Sequence, residues 1–226
     1  MAAHYTWSSF IDSSSDGLTN VTPAGDVGIA QDPFNRRAER GRSSFDRPRR
    51  FVANGVWELP SPGGWFGRTL LGGWQVSGFI TLQSGAPFTA IDGADPAFRL
   101  SGLASTVRAN VNTNLDLARM SVSEIFQAGG AALFSRVTAA GELGNIGRNV
   151  LRSNGIKNVD FGLVKNTRIT RISETPRLQF RAEFYNLTNT RNFGIPEGRV
   201  SSANFLNQWG TDGGNRRIVA AIRFVF

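Results

Sequence analysis

The sequence predicts an all-β fold. Three observations carry that prediction: period-2 alternation recurs along the chain, the connections alternate between long and short, and glycine and aromatic residues are abundant in a chain of modest hydrophobicity. Strands present alternate side chains to opposite faces, so alternation is the signature of a sheet with two chemically different sides.

The clearest alternation places Leu178, Phe180, Ala182 and Phe184 on one side and Gln179, Arg181, Glu183 and Tyr185 on the other. Val159, Phe161 and Leu163 repeat the pattern against Asn158, Asp160 and Gly162. Trp74, Val76, Gly78, Ile80 and Leu82 form a third series, and Phe51, Ala53, Gly55, Trp57 and Leu59 a fourth. A weaker series opens the chain at Tyr5, Trp7, Ser9 and Ile11. The last is Ile218, Ala220, Ile222, Phe224 and Phe226, interleaved with Arg217, Val219, Ala221, Arg223 and Val225. Strands are therefore expected over about 3–11, 47–60, 73–85, 157–167, 176–187 and 216–226. Most reach the roughly 9–11 residues that a tilted membrane-spanning strand needs, against about 5–6 for an ordinary soluble strand.

Between these strands the segments 12–46, 86–156 and 188–215 are long, whereas 61–72 and 168–175 are short. Loops beyond about 12–15 residues are uncommon in compact soluble domains. Barrels of the outer membrane carry short periplasmic turns and long extracellular loops as a rule. With Phe226 at the periplasmic side, every long segment falls outside and every short one inside. The expected architecture is thus an antiparallel transmembrane β-barrel segment of about six strands. Lys165 continues the apolar series of Val159, Phe161 and Leu163. Charge costs roughly 2–4 kcal/mol at mid-bilayer but about 0–1 at the interface, and this topology puts Lys165 near the periplasmic boundary.

Other classes recede on residue content. No stretch of 18 or more apolar residues exists, so a transmembrane helix is excluded, a test that strands escape. The chain has no cysteine, which removes disulfides and thiolate chemistry. His4 is its one histidine, so neither a histidine metal site nor a Ser-His-Asp triad is expected. Catalytic residues, metal ligands and cofactors are all expected to be lacking, and Asp160 and Glu183 beside Arg181 suggest ion pairs rather than acid–base chemistry. "GELGNIGRN" lacks the Lys-Ser/Thr of a phosphate loop and reads as turn chemistry. "DLARMSVSEIFQAGGAALF" has helical character, with Leu117, Met120, Ile125 and Phe126 apolar, inside the longest loop.

The formal charge of +8, almost all arginine, raises a second reading. Arg36, Arg37, Arg40, Arg42, Arg47, Arg49 and Arg50 interleave with Phe34 and Phe45, as in a nucleic-acid-binding arm of a soluble arginine-rich β-sheet protein. No recognised nucleic-acid module accompanies the cluster. A solvated extracellular loop, or one that meets anionic lipopolysaccharide, fits the topology better, and no nucleic-acid partner is expected.

The stretches "DRPRRFVANGVWELP", "LLGGWQVSGFITLQSGAPFT", "GNIGRNVLRSNGIKNVDFGLVKNTRI" and "RLQFRAEFYNLTNTRNFG" resemble, in this order, the C-terminal barrel portion of Oar-like TonB-dependent receptors. The resemblance runs from Tyr5 to Phe226. It implies a 22-stranded outer-membrane barrel with a plug domain, energised by the TonB complex and importing a ligand whose identity the sequence does not name. The chain is then expected to be a C-terminal part of such a receptor, without the plug. Ile218, Ala220, Ile222, Phe224 and Phe226 resemble the closing strand read by the barrel assembly machinery. Leu178, Phe180, Ala182, Phe184, Val159, Phe161 and Leu163 are the expected lipid-facing residues. Asp160, Gln179, Arg181, Glu183 and Arg223 are expected to face the lumen, and Trp57, Trp65 and Trp74 to form an interfacial girdle at the periplasmic end.

Overall fold

The computed structural model describes residues 1–15, 30–61, 63–64, 67–94, 107–168, 177–208 and 214–225. Six long strands dominate it: β1 (Ala2–Trp7), β2 (Arg49–Glu58), β3 (Trp74–Gln83), β4 (Ile156–Arg168), β5 (Arg177–Tyr185) and β6 (Arg217–Val225). They form one sheet in chain order, β1-β2-β3-β4-β5-β6, and every neighbouring pair is antiparallel. Each of the six expected strands is present, and the expected ends are displaced by a few residues. The largest difference is at the start. The first strand stops at Trp7, because Ile11–Asp12 pairs instead with Gly41–Arg42 as a separate two-residue ladder.

An up-and-down meander puts alternate connections at opposite ends of the sheet. The segments after β1, β3 and β5 therefore share one end, and those after β2 and β4 share the other. The short connection between β2 and β3 closes through a tight helical turn, Gly67–Leu71, whose Gly67 carbonyl accepts from Gly72 N at 2.8 Å. At Gly73 the backbone has φ +73°, and a Cβ there would lie 2.2 Å from the Asn166 carbonyl oxygen. Only glycine fits that close approach to β4.

The long segments are not structureless. They fold together into a cap with its own apolar core, in which Phe88, Ile125, Leu151 and Leu206 are almost fully buried. Phe134 and Phe205 meet edge to face, with ring centroids 5.1 Å apart. Pro87–Phe88 pairs with Leu151–Arg152, and Asn110–Val111 with Phe134–Ser135. The stretch with helical character supplies α1 (Val122–Gln127), which buries Val122 and Ile125 and leaves Phe126 half exposed. Its start is fixed by a reciprocal capping box between Ser121 and Glu124. The glycine-rich "GELGNIGRN" does form turns. A Cβ on Gly144 would lie 1.9 Å from the Arg108 carbonyl oxygen, so this loop can pass only as glycine.

Among the described residues, Ala182 is the one buried hydrophobic side chain that comes from the six long strands. The core of this chain lies in its cap. Among the described residues the sheet has none packed against it.

Candidate functional site

The register decides which residues share a face. Phe161 is opposite Phe184, Leu163 opposite Ala182, and Thr167 opposite Leu178. On the far side of β5, Leu178, Phe180, Ala182 and Phe184 face Phe224, Ile222, Ala220 and Ile218. On the far side of β4, Val159, Phe161, Leu163 and Lys165 face Ile80, Gly78, Val76 and Trp74. The row continues through Ala53, Gly55 and Trp57 to Ala3 and Tyr5. All the residues expected to meet lipid thus stand on one face, together with Ile218, Ala220, Ile222 and Phe224. The face carries no Asp or Glu on any of the six strands. Its cations are Arg49, Lys157 and Lys165, all near strand ends. Phe161 and Phe184 touch, with centroids 6.0 Å apart.

Exposure on this face is high: 74% for Ile222, 59% for Ile218 and 50% for Phe224. A contiguous apolar surface of this kind marks an interface with protein or membrane rather than with water.

The opposite face is polar and holds Asp160, Gln179, Arg181, Glu183 and Arg223 together. Gln179 and Arg223 are cross-strand partners. Gln179 Nε2 donates to Asn166 Oδ1 at 2.9 Å. Arg181 Nη2 donates to Glu183 Oε1 at 2.8 Å, and the Tyr185 hydroxyl donates to Glu183 Oε2 at 3.0 Å. Asp160 differs from expectation. It does not join Arg181, because register sets Arg181 opposite Val164, four residues along β4. Its Oδ1 accepts instead from Asn158 Nδ2 at 2.9 Å and from the Asn186 amide at 2.8 Å, tying the end of β5 to β4.

A groove of about 520 Å³ lies over the middle of the sheet. It is lined by residues of four neighbouring strands, among them Gly55, Gly78, Phe161 and Phe184, together with Met1.

Of the expected girdle, Trp57 and Trp74 stand at the short-turn end on the apolar face. Trp65 and Phe226 lie outside the described residues. Trp74 Nε1 donates to the Leu70 carbonyl at 3.0 Å. Lys165 lies 5.3 Å from the Trp74 ring centroid and donates to the carbonyls of Thr69 (2.9 Å), Leu70 (3.0 Å) and Gly72. The one cation at this end of the apolar face is therefore drawn off it, onto the carbonyls of the turn.

Sequence reasoning did not identify the network that locks the cap. Arg108 binds Glu39 in a bridge of 3.1 Å whose side chains are 6% and 4% exposed. The Glu39 carbonyl accepts from Arg148 Nε at 2.9 Å, and Arg148 also engages Asp12. Arg152 reaches Asp46 at 2.8 Å, Arg136 reaches Asp92 at 3.1 Å, and Arg199 reaches Glu197 at 2.7 Å. Gln31 bridges two segments, donating to the Gly144 carbonyl and accepting from the Arg108 amide. Burial pushes the Arg108 guanidinium below its usual range, against the pull of Glu39. Burial alone would raise the Asp12 carboxyl, but hydrogen bonds from Ser43, Arg148 and Ser15 hold it below the usual range. Glu197 is held low by the hydrogen bond from Arg199. The arginine-rich stretch divides accordingly: Arg42 and Arg47 are partly buried, while Arg36, Arg37, Arg40, Arg49 and Arg50 remain exposed.

No curated protein and no solved structure is matched by the chain. A family model described as "Outer membrane beta barrel domain" matches residues 1–219. That match covers nearly the whole chain, and the sheet agrees with it strand by strand: antiparallel, two-faced, and without a core of its own. The chain belongs to the outer membrane beta barrel domain family, and its place is the bacterial outer membrane.

Proposed function

We propose that this chain is the C-terminal barrel segment of a TonB-dependent receptor of the Oar-like kind, acting in ligand uptake rather than catalysis. The observation that carries the reading is the asymmetry of the sheet. An apolar face with no carboxylate and no packed core meets lipid, and the opposite polar face lines a lumen. Lipid contact falls to Leu178, Phe180, Ala182, Phe184, Val159, Phe161 and Leu163, and Asp160, Gln179, Arg181, Glu183 and Arg223 face the lumen. The folded cap is then the extracellular surface that a ligand meets first, and Trp57 and Trp74 sit at the periplasmic interface. In the intact receptor a plug coupled to TonB would drive import, and the assembly machinery would read β6 by pairing with its free edge while alternate side chains fill pockets.

The resemblance of four ordered stretches to Oar-like receptors supports the finer assignment, and the family supports the coarser one. Two single-cysteine variants, Ile222→Cys and Arg223→Cys, test the faces. In proteoliposomes the Ile222→Cys thiol should react with a lipid-soluble maleimide and resist an aqueous one, while the Arg223→Cys thiol does the reverse. Equal aqueous labelling of both would overturn the lipid-facing assignment. A chain that stays soluble without detergent and binds DNA in a salt-sensitive way would favour the nucleic-acid reading. For uptake, cells producing the intact receptor should accumulate its ligand only when TonB is functional. Uptake indifferent to TonB would remove the receptor assignment while leaving the barrel.

A further inference from the structure

One segment of the cap is anchored from beneath and bare above. Arg36–Glu39 forms a single 3-10 turn. Residues 33–38 and Arg40 are exposed, whereas Glu39 between them is buried. The Glu39 carboxylate accepts from Arg108 Nη1 at 3.1 Å, from Arg108 Nη2 at 3.2 Å and from the Gln31 amide at 3.1 Å. Its carbonyl accepts from Arg148 Nε at 2.9 Å. Two local bonds stiffen the outer side. Asp32 Oδ1 accepts from the Phe34 amide at 3.0 Å, and Asn35 Oδ1 caps the turn by accepting from the Ala38 amide at 3.3 Å. Buried polar networks of this kind rigidify what they hold.

The turn presents Phe34, at 92% exposure the most exposed aromatic side chain among the described residues, beside Arg36, Arg37 and Arg40. The exposed stretch has no carboxylate of its own. A 3-10 turn rises about 2 Å per residue, so the backbones of Arg36 and Arg40 stand about 8 Å apart. Side chains two residues apart on an extended peptide are spaced by about 7 Å, a close match. A rigid aromatic set among arginines is the composition of an interface hot spot, and its rigidity lowers the entropy lost on docking. We infer that Phe34, Arg36, Arg37 and Arg40 form a docking patch for a short acidic segment of a partner polypeptide, with an aliphatic side chain against Phe34 and carboxylates on the arginines. A nucleic-acid strand calls instead for a cationic track with successive aromatics, and here Arg42 and Arg47, next along the chain, are partly buried. Only the extracellular setting of the patch rests on the receptor reading above.

The detergent-extracted full chain is titrated with a fluorescent peptide, Ser-Glu-Ser-Leu-Ser-Glu-Ser-Glu-Ser, and binding is read by anisotropy. Its leucine and glutamates share one side of the extended chain. The wild type should bind it, less tightly as salt rises. Arg36→Gln with Arg37→Gln and Arg40→Gln should weaken binding about eightfold, at about twofold for each exposed ion pair. Phe34→Ala should weaken it about fivefold, as for truncation of a hot-spot residue, and so should exchange of the peptide's leucine for serine. Arg36→Lys with Arg37→Lys and Arg40→Lys keeps the charges and should retain binding, which separates lost charge from lost folding. A wild type that ignores the peptide overturns the inference. So does a Gln triple or a Phe34→Ala variant that binds like the wild type, or a Lys triple that loses as much as the Gln triple. Tighter binding of a single-stranded oligonucleotide or of polygalacturonate than of the peptide also overturns it, since the partner would then be a nucleic acid or a glycan. None of these results depends on lipid or on TonB, so each leaves the receptor reading standing.

Discussion

Ile222 is 74% exposed, and in a soluble protein such a side chain would accept almost any substitution. On the proposed lipid-facing reading it meets hydrocarbon, so the expectation reverses. Ile222→Lys should cost about 2–4 kcal/mol in a lipid-embedded unfolding titration if Ile222 lies near mid-bilayer. On the opposite face, Arg223→Gln should change stability by less than about 0.5 kcal/mol, as for an ordinary surface site. Similar costs at the two neighbours would mean that the faces are equivalent. The buried pair in the cap is sensitive in a different way. Arg108→Ala leaves Glu39 charged in a site where its carboxylate is 4% exposed, and losing one partner of a buried pair costs about 3–5 kcal/mol. Limited proteolysis should then open the cap while β3 and β4 stay intact. These residues differ in how far the sequence reveals them. Ile222 is legible because alternation within β6 states its face directly. Arg108 is not, because its partner lies 69 residues away and nothing local marks a buried guanidinium.

Among the elements, the strands were readable and the cap was not. Alternation is a property of a single strand, so Leu178 to Phe184 and Val159 to Leu163 announced a two-sided sheet without knowledge of their neighbours. The cap is built from contacts between segments: Arg148 with Asp12 across 136 residues, and Arg152 with Asp46 across 106. Its helix was visible only as scattered apolar residues, because α1 is 6 residues long and too short for a full periodic signal. The capping box that starts α1 makes Ser121→Ala a clean probe, expected to cost about 1 kcal/mol in cap stability by thermal unfolding. The cap as a whole should respond to acid. Asp12 and Glu197 both have carboxyls held below their usual values, 3.8 and 4.5, so each contributes stability that is complete above those values. That contribution disappears as pH falls from about 4 through the lower folded-state values. Protease sensitivity of residues 84–155 should therefore rise below about pH 4 and stay flat between about pH 6 and 8. A cap that loosens in that neutral window would point to groups other than these carboxylates.

At the scale of the whole molecule, the sheet has two free edges: β1 and β6 each pair on one side only among the described residues. Unpaired edges are templates for another strand. In the chain by itself, amide exchange should run fastest in β1 and β6 and slowest in β3 and β4, where each strand has two neighbours. Equal protection of β6 and β3 would mean that a further strand, from another copy or from elsewhere in a longer chain, already covers the edge. The contrast between an edge that invites pairing and a cap closed by its own ion pairs gives the molecule two regimes. One end is finished as a soluble object would be, with an apolar core and buried ion pairs. The remainder is completed only by what surrounds it.

The treatment of Lys165 has a practical consequence. The chain has two lysines, and the fold gives them opposite chemical fates. Lys157 stands open at the cap end, while the Lys165 ammonium is engaged by the carbonyls of the turn and the face of Trp74 at the other. An amine-reactive tag applied to the lipid-free, detergent-extracted chain and followed by peptide mapping should mark position 157 and spare 165. Equal marking of both lysines would show that the turn does not hold the Lys165 ammonium.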